Sequence, residues 1–143
     1  MSAAVREKVI EALTEVLETS AFVTVSPWAD NDVFTDDVWE ARVSYHGQAR
    51  GEMRLWIDAV QARDIASNLL ALDGPDAADA EQLRDVVGEV ANMVCGAALL
   101  RIHPESLIDL DAPRVSPGAS AESDPTVRVR GDCGAVAVTM SEP

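Results

Sequence analysis

Basic side chains are scarce in this chain, with 11 Lys and Arg against 25 Asp and Glu and a formal charge of −14. A phosphate-binding surface needs clustered Lys and Arg, so nucleic acid and anionic membranes are excluded as expected partners, and a partner with a basic docking face fits better. Cysteine is limited to Cys95, inside a helical pattern, and Cys133, in a Gly-Asp-Cys-Gly turn; no paired framework or metal-ligand spacing surrounds either, and both are expected to be free thiols. Neither histidine, His46 or His103, has a Ser or Cys nucleophile signature beside it. Long apolar runs are missing too. The amino-terminal segment intersperses Glu7, Glu11, Glu15 and Glu18 among its apolar residues, so it is neither a signal-peptide core nor a membrane span. A cytoplasmic protein without membrane association is the expectation.

Three further arrangements are incomplete. Asp30, Asp32, Asp36 and Asp37 do not form an EF-hand loop, because Phe34 and Thr35 stand where oxygen ligands and a glycine are needed. Gly131 to Gly134 lacks the lysine and following helix of a phosphate-binding loop. Trp28, Trp39 and Trp56 suit core or interface anchoring better than a base-stacking platform in so acidic a chain. The chain is therefore expected to bind no metal or organic cofactor of its own.

At 143 residues and 48 % hydrophobic, the chain is expected to form a single domain over residues 1–143. Val5, Val9, Ala12, Leu13, Val16 and Leu17 recur at helical spacing and predict a first helix over about residues 4–19. Strands are predicted over Ala21 to Ser26, Val38 to Tyr45 and Gln48 to Ile57, the last two as a half-buried hairpin turning at His46-Gly47. A helix from Ala59 to Leu72 stops at Gly74-Pro75, and Asp79 with Gln82 makes a capping-box start for a long helix ended by His103-Pro104. Leu107 to Leu110, Thr126 to Arg130 and Ala135 to Met140 read as strands, and Pro113 to Pro125 as a loop. This order predicts an α+β fold in which a largely antiparallel sheet is covered by helices.

The long helix carries the functional signal. At about 100° per residue, Leu83, Val86, Val87, Val90, Val94, Ala97 and Ala98 share a core-facing side, whereas Asp85, Glu89, Asn92 and Gly96 fall together opposite it. Glu89 and Asn92 are i,i+3 neighbours, and Gly96 removes a side chain one turn later, where another molecule's backbone can approach. Such a pair alone is a common solvated helix face. Its setting, Gly88-Glu-Val-Ala-Asn-Met-Val-Cys-Gly96, resembles the signature helix of the CheX family of chemotaxis phosphatases, with matches at Gly88, Glu89, Val90, Asn92, Met93, Val94 and Gly96. The preceding Ala66-Ser-Asn-Leu-Leu70, Gly74 and acidic linker resemble the same family, and the order of elements agrees over roughly residues 4–140. Only one such motif occurs, unlike the two typical of CheC and FliY types, so one site per protomer is expected.

The resemblance implies the same fold and a phosphatase that hydrolyses the aspartyl phosphate of a receiver domain such as phosphorylated CheY. It implies that Asn92 holds a water in line for attack, that Glu89 pairs with the receiver's phosphate-contacting lysine, and that Asp85 and Gly96 border the contact. The receiver supplies Mg²⁺. Ala97-Ala98-Leu99 departs from the polar or basic residue common after the glycine, which bears on affinity and receiver specificity. CheX relatives are dimers, so the resemblance implies a homodimer, and the valine-rich strands Thr126 to Arg130 and Ala135 to Met140 would give a second copy an edge to pair with if they lay at the border of the sheet. The alternatives are a CheX-like module that docks a receiver or other regulator without catalysis, and a structural dimerisation domain.

Overall fold

The computed structural model describes residues 1–29, 32–34, 37–118 and 127–141. Helix α1, Ala3–Glu15, starts at Ser2, whose side chain accepts a hydrogen bond from the Val5 amide at 3.2 Å. Val9, Ala12 and Leu13 are buried, and the helix widens into a π turn over Val16–Ser20 that buries Val16 and Leu17 as well. Helix α2 is Ala59–Leu69, shorter than the predicted Leu72 terminus because Ala71 turns to a φ of 51°. Helix α3, Ala80–Ile102, has the predicted capping box: the Asp79 side chain accepts from the Gln82 amide at 2.8 Å, and Gln82 Oε1 accepts from the Asp79 amide at 3.0 Å. Among the described residues, no helix is long and apolar enough to cross a membrane.

The strands are β1 (Ser26–Pro27), β2 (Val38–Gly47), β3 (Gly51–Asp58), β4 (Ile108–Leu110), β5 (Arg114–Gly118), β6 (Val127–Arg130) and β7 (Ala135–Ser141). They form one antiparallel sheet of order β1-β6-β7-β3-β2-β4, and β5 pairs with the same edge of β2 that β4 uses further along. Period-two alternation sends Trp39, Ala41, Val43, Met53, Leu55, Ile57, Val136 and Val138 into one core with the helices. This is the α+β arrangement expected, an antiparallel sheet with helices on one face.

The opposite face is polar in part. Arg42 lies directly across from both Arg54 and Arg114, a row of like charges that is unfavourable unless countered. Glu40 accepts from Arg42 and Arg54, each at 2.9 Å, and Glu52 accepts from Arg114 at 3.1 Å. Trp56, Val38 and Ala137 form a small second cluster on this face, under Phe34.

Four local expectations are corrected. Ala21 to Val25 alternates in burial but carries no ladder, since the register that pairs Ser26 with Arg130 places the turn after β6 beside it, and the Thr24 amide donates to Asp132 instead. The hairpin turns at residues 48–50 rather than at His46-Gly47; Gly47, with φ 124° and Leu107 O only 2.5 Å from the position a Cβ would take, belongs to β2. Arg114 to Gly118, predicted as loop, is a strand, because an edge strand tolerates Pro117, which has no N–H to give. Residues 119–126, with the rest of that loop and Thr126, lie outside the described residues. Finally, β7 is not at the border: it sits between β3 and β6, and β1 covers part of β6.

Candidate functional site

Helix α3 buries Leu83, Val86, Val87, Val90, Val94 and Ala98 as its periodicity requires, and Ala91 and Cys95 also reach full burial. Ala97, expected in the core, is only partly buried. On the other side, Asp85 and Glu89 are exposed, whereas Asn92 and Gly96 are partly buried. The predicted stripe is therefore brought together on one helix face, and Asp85, Glu89 and Asn92 of it border a groove, with Gly96 beyond its end.

The wall of that groove is β5. Pro113 and Val115 stand against α3, and with Arg84, Asp85, Glu89 and Asn92 they border a cleft of about 430 Å³. Gly88 permits this approach: a Cβ there would come within 3.1 Å of Pro113 Cγ and 3.4 Å of Val115 Cγ2. An alanine there would require the Pro113 ring to give way slightly. Arg84 was missed by the sequence reading; its guanidinium lies 6.0 Å from the centroid of the Trp39 ring, which places a cation beside the two carboxylates of the cleft.

Asn92 carries the clearest chemical anomaly. Its Oδ1 is buried and has no hydrogen-bond partner among the described residues. Leaving a buried acceptor unpaired costs about 1–3 kcal/mol, so such a group in a cleft is a place for an incoming donor. A carboxamide offers both donors and acceptors and no strong base. Chemically, the arrangement can hold and orient a water or a polar ligand, with the exposed Glu89 carboxylate one turn away to meet a cation.

The remaining candidates lie outside this cleft. His46 Nδ1 lies 3.5 Å from Asp111 Oδ1 on the surface, and the His103 amide donates to Leu99 O at 2.7 Å as the C-cap of α3. Of the acidic segment, Asp32 accepts from the Ala29 amide and pairs with Arg130, and Asp37 O accepts from the Ala59 amide; Asp30, Thr35 and Asp36 lie outside the described residues. The fold does assemble one group that sequence spacing could not reveal: ligand atoms of Asp64, Asp132 and Cys133 fall within 4.8 Å of one another. Burial and the charges of Asp64 and Asp132 push the Cys133 thiol up. Cys95, buried among apolar neighbours, is pushed up to about 12 by that burial, and both cysteines are free.

Against known proteins, the family model described as "Chemotaxis phosphatase CheX" matches residues 40–141, from β2 to the end of β7. Among solved structures, a chemotaxis protein CheX from Desulfovibrio desulfuricans superposes with a TM-score of 0.75 at 22 % identity, over 97 % of this chain and 99 % of that one. Chemotaxis protein CheX from Vibrio vulnificus gives 0.72 at 27 % identity, over 96 % and 95 % of the two chains. A CheX-CheY-BeF3-Mg²⁺ complex from Borrelia burgdorferi contains a chain matching at 0.68 and 18 % identity, over 94 % of this chain and 95 % of that one. No curated protein matches the sequence. The family match spans most of the chain and the whole of the α3 stripe, and with it the chain belongs to the CheX family of chemotaxis phosphatases.

Proposed function

We propose that this chain hydrolyses the aspartyl phosphate of a CheY-like receiver, working in the cytoplasm as a single-domain homodimer. The observation that supports this most is the buried, unpartnered Asn92 Oδ1 in a cleft that also presents the Glu89 carboxylate. Phosphoryl transfer to water requires positioning and charge stabilisation more than covalent chemistry from the protein. In this reading the receiver brings the phosphoryl group, a Mg²⁺ ion and a lysine. Asn92 holds the attacking water through its carboxamide, and Glu89 forms a charge-assisted pair with the lysine that fixes the register of α3 on the receiver. Asp85 and Gly96 border the contact.

A dimer formed by pairing sheet edges must use strands other than β7. Among the described residues, the outer edge of β6 at Val127 and Arg128 is not covered by β1, and β4 and β5 end the sheet on the other side. The deciding experiment follows the decay of CheY-type receivers charged with acetyl phosphate, with and without this protein. Accelerated release of inorganic phosphate that stops on chelation of Mg²⁺ supports the reading. Binding without acceleration selects a docking module instead.

A further inference from the structure

The α3 stripe does not end at Gly96. With about 100° per residue, Leu100 falls on the same side as Glu89, Asn92 and Gly96, and there the stripe turns apolar before His103 caps the helix. Leu100 is 67 % exposed and Leu110 37 % exposed. Together with Gly96, Leu99 and Ile108 they line a recess of about 200 Å³. Exposed apolar side chains around a recess offer a place where another molecule can sit.

Gly96 gives the recess its significance. Its backbone is helical, with no positive φ, and a Cβ added there would meet nothing closer than Leu110 Cδ1, at an ordinary 3.9 Å. Nothing inside the fold calls for glycine, in contrast to Gly88 under Pro113. A glycine within a helix is nevertheless less favourable than alanine. The absent methyl group leaves room for something outside the chain, between Asn92 and Leu100.

We propose that this recess receives an apolar side chain of the same receiver whose aspartyl phosphate lies at Asn92, and that Gly96 and Leu100 thereby select among receivers. The proposal rests on the phosphatase reading above. The geometry of α3 favours the receiver over a second copy of this chain. Along the axis Leu100 is only about 12 Å from Asn92, whereas a standard protein interface covers about 800 Å² per partner, a disc of roughly 16 Å radius. A second copy centred on Leu100 would overhang Asn92 and bar the receiver, whereas one receiver can fill both.

The test measures kcat and KM for CheY-type receivers charged with acetyl phosphate, using wild type, Gly96→Ala and Leu100→Ser, with thermal unfolding of each protein. The expected result is a KM raised about tenfold in each variant, a much smaller change in kcat, an undiminished Tm for Gly96→Ala, and altered KM ratios between receivers. Unchanged KM in both variants, on a receiver that wild type dephosphorylates, overturns the proposal. So does a Leu100→Ser protein whose mass in solution halves while KM stays constant, since the recess then belongs to a second copy. Wild type that accelerates no receiver is a separate outcome: it removes the phosphatase reading and this proposal with it.

Discussion

Replacing Asn92 by alanine should make the protein more stable and less active at once. The Oδ1 atom is buried without a partner, so its removal relieves a desolvation cost of about 1–3 kcal/mol. Because the residue as a whole is only partly buried, the lower half of that range applies. Exchanging asparagine for alanine inside α3 adds roughly 0.5 kcal/mol of helix propensity. A net gain of about 1.5–2.5 kcal/mol corresponds to a Tm rise of roughly 5–8 °C in a domain of this size. On the proposed mechanism the water in line with the phosphoryl group loses its holder over the same change, and mispositioning of this kind costs about 100-fold in rate. Differential scanning calorimetry or urea unfolding reads the first quantity, and phosphate release from an acetyl-phosphate-charged receiver reads the second. A variant less stable than wild type by 1 kcal/mol or more would mean that Asn92 has a structural partner, refuting the reasoning from the orphaned oxygen.

Glu89→Ala should weaken receiver binding about 10- to 100-fold, the worth of a charge-assisted hydrogen bond, with little effect on stability because Glu89 is exposed; titration against a beryllofluoride-loaded receiver measures it. On the open sheet face, burial raises the Glu40 carboxyl, but the hydrogen bonds and charges of Arg42 and Arg54 outweigh that and hold it below the ordinary 4.5. A depressed folded-state value means that Glu40 stabilises the fold above about pH 4.5 and loses that contribution as pH falls through its folded value. Glu40→Gln should therefore be the less stable protein at pH 7 and show a flatter fall in stability on acidification, and parallel pH curves would contradict this. Light scattering at micromolar concentration should give about twice the chain mass of 15.3 kDa, and a monomer would remove the edge-pairing dimer.

The sequence alone determined the elements whose signals are local. The period of α3, its Asp79 and Gln82 cap, the alternation in β2 and β3, and the common face of Glu89 and Asn92 all follow from residues within a few positions of one another. Those relations depend on 3.6- and 2-residue periods that hold before any tertiary contact forms. Only the folded chain decided the rest. Arg114 to Gly118 has a turn-like composition and became a strand because β2 offered it an edge, and once there it made the wall that encloses Asn92. The interior place of β7 depends on a pairing with β3 that joins residues such as Leu55 and Val138, far apart in the chain and therefore invisible to any local period. The two glycines show the division most sharply. In sequence Gly88 and Gly96 look alike, one turn to either side of Asn92; the contact of Pro113 explains the first from within, and the space beside Leu110 shows that packing does not require the second.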